Sequence, residues 1–113
     1  DVGRALINFG GEHSLYLEIC SDFEAQAEER MARLKESLLA GDLEALAGKA
    51  HAAKAPLGTV GAFRAMELID RVYVLAKQGD SQGVAEVWPG FVAEWEDVLC
   101  GLARMRSKGL DGL

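Results

Sequence analysis

His51 and Lys54 are the residues in this chain whose types and spacing could do chemistry. Three positions apart on a helix, they lie on one side of it. A neutral imidazole nitrogen is a nucleophile at physiological pH. An ammonium beside it favours a dianionic phosphoryl group on that nitrogen, or the approach of an acidic partner site. On a helical wheel the apolar stripe of this segment centres between Ala50, Ala53 and Leu57, and His51 points roughly 140° away from it, toward water. The wheel places Ala47, Gly48, Ala52, Ala55 and Gly58 on the same open face, all of them small. Exposed helix positions ordinarily carry long polar side chains, and a helical Gly costs about 1 kcal/mol relative to Ala. The imidazole thus stands in a low surround that another protein could approach closely. Two plainer readings stay open on these residues alone: a merely solvated histidine, or small residues serving close contact with a partner helix or a second copy.

Other chemistry-bearing residues offer less. His13 follows Glu12 directly and reads as a solvated residue near a helix start. A di-metal carboxylate bundle needs inward Glu-x-x-His pairs, and the sequence has none. Cys20 and Cys100 form no C-x-x-C pair and have no His at ligand spacing, so both are expected to be reduced thiols in the core. Trp88, Phe91 and Trp95 recur at helical spacing and are expected in the core rather than around a cofactor. No Gly-rich phosphate loop or ATP site is present, so the chain is not expected to phosphorylate itself.

The elements that position these residues follow from a helical period that dominates throughout. A long helix is predicted over Glu12 to Ala40, with Leu15, Ile19, Phe23, Ala27, Met31, Leu34 and Leu38 as its apolar stripe. Gly41-Asp42 closes it and opens the next, since Gly suits the left-handed C-terminal position and Asp caps the following turn. The second helix runs from Leu43 to Leu57 or Gly58, with Leu43, Leu46, Ala50, Ala53, Leu57 and Val60 inward. Gly58 and Gly61 bracket its end. The third runs from Ala62 to Gln78, burying Phe63, Met66, Ile69, Val72 and Leu75 or Ala76. After Gly79-Asp80-Ser81 the fourth reaches Arg106, with Val84, Trp88, Phe91, Trp95, Val98, Leu102 and Met105 inward. Pro56 should remove one hydrogen bond near the end of its helix, and Pro89-Gly90 should kink or break the last one. The expected fold is all-α: an antiparallel up-down-up-down four-helix bundle with a short extra helix before Gly10.

With 113 residues, half of them hydrophobic, the chain fits one domain with a real core, here expected over 1–106 with a flexible tail over 107–113. A net charge of −6 with scattered Lys and Arg argues against nucleic-acid binding and against attraction to anionic membrane. No apolar run approaches the ~20 residues of a membrane span, and no signal-peptide pattern is present. The start at Asp1 and the Gly-rich end suggest a piece of a longer protein, or a processed one.

The segment Ala50-His51-Ala52-Ala53-Lys54-Ala55-Pro56-Leu57-Gly58-Thr59-Val60-Gly61-Ala62 resembles the signature of histidine-containing phosphotransfer (HPt) domains. That pattern is a His, a Lys three residues on, a Gly directly after the Lys, and a Gly-Ala or Gly-Leu pair ten residues after the His. His51, Lys54 and Gly61-Ala62 match. Gly58-Thr59-Val60-Gly61 is similar to a stretch in the modules that end certain bacterial hybrid sensor kinases. The resemblance covers most of the chain, including Phe23 in the long helix, the Gly-Asp before the His helix, and Trp95 in the last one. Ala55 stands where the family prefers Gly, and Pro56 is unusual within that helix, so an altered partner fit is expected.

The resemblance implies that His51 is a phosphoacceptor, that Lys54 sits beside the phosphoryl group, and that Gly48, Ala55, Gly58 and Gly61 belong to a docking face. It implies a phosphorelay intermediate of two-component signal transduction, taking phosphate from one response-regulator receiver domain and passing it to another. No cofactor is expected in this chain, and Mg²⁺ is expected on the partner receiver. The kinase would be a sensor histidine kinase, in the same polypeptide, and the domain a cytoplasmic monomer. The alternative is a helical adaptor or dimerisation bundle without phosphate chemistry.

Overall fold

The computed structural model describes residues 13–108, with side chains from Leu15 to Met105. Among the described residues there are four α-helices and no strand: α1 (His13–Leu39), α2 (Leu43–Thr59), α3 (Phe63–Lys77) and α4 (Ser81–Lys108). The protein is all-α over these residues. Each helix packs on the next in sequence, and α1 also meets α4. The helix expected before Gly10 lies outside the described residues. At the other end α4 continues two residues past the expected limit at Arg106.

All three turns use the same local device. Gly41, Gly61 and Gly79 have φ of +70, +84 and +71°. Past each, an amide reaches back five residues to a helix carbonyl: Asp42 to Ser37, Ala62 to Leu57 and Asp80 to Leu75. This satisfies the orphan carbonyls at a helix end and needs a residue that tolerates the left-handed region. Asp42 and Asp80 then accept from the amides of Ala45 and Gly83, capping α2 and α4. At α3 the cap residue is Ala62, which makes no such side-chain bond.

The core is built from Phe23, Leu34, Leu46, Ala50, Leu57, Ile69, Val72, Val84, Phe91 and Trp95, among others. Phe23, Trp95, Phe91 and Trp88 form a chain of tilted rings with centroids 5.4–5.8 Å apart. The stripe expected on α2 is buried from Leu46 to Val60, with Leu43 half-buried. On α3 the buried positions are Ala65, Ile69, Val72 and Ala76, while Phe63, Met66 and Leu75 are only half-buried. On α4, Trp88 and Val98 are likewise half-buried.

Two expectations are corrected and a third is narrowed. Leu15 is 41 % exposed, and Tyr16 takes the first inward place on α1. Its phenol donates to the carbonyl of Val60 at 2.8 Å, a buried bond that only this rotation of the helix allows. Cys100 is exposed, leaving Cys20 as the one core thiol. With Trp95, Leu102 and Met105 inward, position 100 falls on the opposite side of α4. Of the two outcomes expected at Pro89, a kink or a break, the break does not occur: α4 runs through as one helix. Pro89 and Gly90 are exposed, the missing amide affects a single turn, and the tilted rings of Trp88 and Phe91 meet across it.

Candidate functional site

The site is built on the α2–α3 hairpin. Its turn sets the helices antiparallel, and the pairing is symmetric about Ala62. Eleven residues either side of it, the rings of His51 and Tyr73 meet with centroids 5.1 Å apart and planes tilted by 40°. Eight residues either side, Lys54 Nζ lies 2.9 Å from Asp70 Oδ1. Four residues either side, a Cβ added to Gly58 would come within 2.9 Å of Met66 Sδ, so the helices are in close contact there. His51 and Lys54 on one helix, and Asp70 and Tyr73 on the other, are each three apart. Together they form a four-cornered cluster at the surface.

His51 is exposed. Around it on α2, Gly48, Ala52 and Ala55 are exposed as well, so this part of the small-residue face is where the wheel places it. Ala47 is not: it is 2 % exposed, on the edge of the core stripe one turn from Ala50, and the packed helices close over it. A Cβ at Gly48 would meet nothing within 4 Å among the described residues, so their packing gives no reason for a glycine there. Pro56 lies within α2 and has no amide to offer the carbonyl of Ala52, which it would otherwise serve.

Gly58 and Gly61 belong elsewhere. Gly58 is half-buried against α3, and Gly61 is buried in the turn with a positive φ. Both have structural duties in the hairpin, and Gly58 is not on the open face where the wheel places it.

The other flank of the face is a groove of about 310 Å³ between α1 and α2, lined by Gln26, Glu29, Arg30, Arg33, Lys49 and Ala52 among others. Lys49 Nζ donates to Ser37 Oγ at 2.7 Å and to the Arg33 carbonyl at 3.4 Å. Arg30 donates to Gln26, and Arg33 pairs with Glu29 at 2.6 Å. Among the described residues Lys49 and Arg30 thus bond to neutral groups, with no carboxylate in an ion pair with either. A chain of net charge −6 carries a cationic edge beside the histidine face.

Sequence reasoning missed Asp70 and Tyr73. Counting outward from the glycine turn would have found them, once Ala62 was known to be the pivot. No group of His, Cys, Asp and Glu able to hold a metal ion occurs among the described residues. No helix among them is long and apolar enough to cross a membrane.

The chain matches no protein-family model, no curated protein and no solved structure. Chemically, the cluster offers an accessible nucleophile, a ring that supports it, a cation one turn away and clear access from outside.

Proposed function

We propose that this chain is a phosphorelay intermediate of the HPt kind, with His51 as the phosphoacceptor. The observation that carries the reading is the open face around His51: exposed Gly48, Ala52 and Ala55, with a glycine that no contact among the described residues requires. In the proposed step an imidazole nitrogen of His51 attacks the phosphorus of a phospho-aspartate on a receiver domain. The P–N bond forms as the P–O bond breaks, and the aspartate leaves as carboxylate with the bonding pair. The ring keeps the proton on its other nitrogen until water takes it. The reverse step delivers the group to a second receiver.

The receiver would bring the leaving carboxylate and its Mg²⁺, and this chain the nucleophile and its position. Lys54 would meet the arriving negative charge. Gly48 and Ala55 leave room for the receiver, and the Arg30–Lys49 edge favours an acidic rim around its site. The reading takes the helices as an up-down-up-down bundle, as short turns favour, with a further N-terminal helix. It places the domain in the cytoplasm beside a sensor histidine kinase of the same polypeptide.

The test is incubation with a panel of phosphorylated receiver domains. The expected result is acid-labile, base-stable phosphate on the parent chain and none on His51→Gln. Equal labelling of His51→Gln removes the site assignment. Stable binding of a partner by both chains, without phosphate transfer, favours the adaptor alternative.

A further inference from the structure

Lys54 is already engaged. Its ammonium lies 2.9 Å from Asp70 Oδ1, and both side chains are 40 % exposed. Asp70 stands one turn from Tyr73 on α3, and Tyr73 packs on the ring of His51. Nucleophile, cation and carboxylate therefore occupy neighbouring corners of one cluster. A phosphoryl group on His51 would give Lys54 two anions to choose between. An ion pair this exposed is weakly held, and a phosphoryl dianion carries more charge and more acceptor oxygens than a carboxylate.

We propose that Asp70 is a positioning residue for Lys54: it holds the ammonium one turn from His51 and releases it to the phosphoryl group once the P–N bond has formed. The inference rests on the reading of His51 as phosphoacceptor. Held by Asp70, the long lysine side chain samples fewer rotamers, so less freedom is lost when it turns to phosphate. After the exchange the Asp70 carboxylate stands unpaired near a dianion. Its repulsion keeps the phosphoryl group from being held too firmly to pass on.

The test needs no receiver. In a His13→Gln background, phosphoramidate loads His51: its P–N bond breaks, ammonia leaves, and a new P–N bond forms to the imidazole. Phosphorus NMR then reads the pH at which the phosphoryl group takes up its proton. Four chains are compared: the background, Lys54→Met, Asp70→Asn and the double variant. Exchange of Lys54 between the two anions predicts that Asp70→Asn lowers this pH more when Lys54 is present than when Met replaces it. The expected difference is at least about 0.3 pH units, roughly twofold in proton affinity. Asp70→Glu, which keeps the carboxylate, should restore the background value.

Equal shifts in both backgrounds mean that Asp70 acts only through its own field, which overturns the proposal. So does failure of His51 to load, since an accessible imidazole is its premise. Coupling in a chain that takes phosphate from no receiver would remove the relay reading alone. Relay activity without coupling would remove this inference alone.

Discussion

Tyr73 supports the ring of His51, with centroids 5.1 Å apart and planes tilted by 40°. The contact reaches from α3 to an otherwise exposed side chain on α2, so it narrows the orientations the imidazole samples without covering it. Aromatic pairs in this geometry contribute about 0.5–1.5 kcal/mol. Tyr73→Ala should therefore slow phosphoryl acceptance by about three- to tenfold in single-turnover transfer from a phosphorylated receiver. Tyr73→Phe keeps the ring and should match the parent. A loss in Tyr73→Phe as large as in Tyr73→Ala would show that the hydroxyl, not ring packing, is what His51 needs.

Gly48 separates stability from docking. With open space around its Cβ position, Gly48→Ala should stabilise the fold by about 0.5–1 kcal/mol, a rise of roughly 2–4 °C in Tm. Gly48→Trp should fold and yet fail to exchange phosphate with receivers. Gly61 behaves oppositely. At φ of +84°, Gly61→Ala should lose about 1–2 kcal/mol, read as a lower urea midpoint. Undiminished transfer in Gly48→Trp would take Gly48 off the docking face.

The two cysteines should react at very different rates. Cys100 is exposed and Cys20 is buried. Burial also pushes the Cys20 thiol up from 9.0, only partly opposed by its hydrogen bond with Tyr16. A thiol reagent at pH 8 should label one site within minutes and the second only on denaturation. Mass spectrometry should place the first label on Cys100. Fast labelling of Cys20 would mean that the top of α1 opens readily.

Tyr16 predicts a loss of stability in alkali. Burial raises its phenol well above the usual 10.0, helped by Cys20 beside it. The folded chain keeps Tyr16 and Cys20 protonated where the unfolded chain begins to ionise. Their contribution is therefore complete below about pH 8.5 and falls away as the pH climbs through the unfolded values toward the raised folded ones. Urea midpoints should be flat from pH 7 to about 8.5 and then decline. Tyr16→Phe should cost about 1 kcal/mol at pH 7, since the Val60 carbonyl loses its donor, and should show a shallower alkaline slope. A parent midpoint flat to pH 10.5 would contradict this account.

What could be read from the sequence was whatever depends on neighbours along the chain. Gly41-Asp42 and Gly79-Asp80 carry both the end of one helix and the cap of the next, and those boundaries came within a residue or two. The outward direction of His51, Gly48, Ala52 and Ala55 follows from helical geometry and the apolar stripe alone. Features that depend on rotation against a partner were not legible. Leu15 and Tyr16 are both large enough for the first core position, and the hydrogen bond to Val60 decides between them. Ala47 sits where a wheel cannot tell the edge of the core from the edge of the surface. Asp70 and Tyr73 depend on the register across the one turn without an Asp cap, which left its pivot unmarked.

The hairpin has one more consequence. All four corners of the cluster lie between His51 and Tyr73, on two helices joined by a single turn. The cationic groove, by contrast, takes its arginines from α1. In the proposed relay the reacting cluster would be encoded in the hairpin alone, while partner choice would be shared between α2, which carries Gly48, Lys49 and Ala55, and α1, which adds Arg30 and Arg33. Drift in α1 could then shift which partner is preferred without touching the four corners of the cluster.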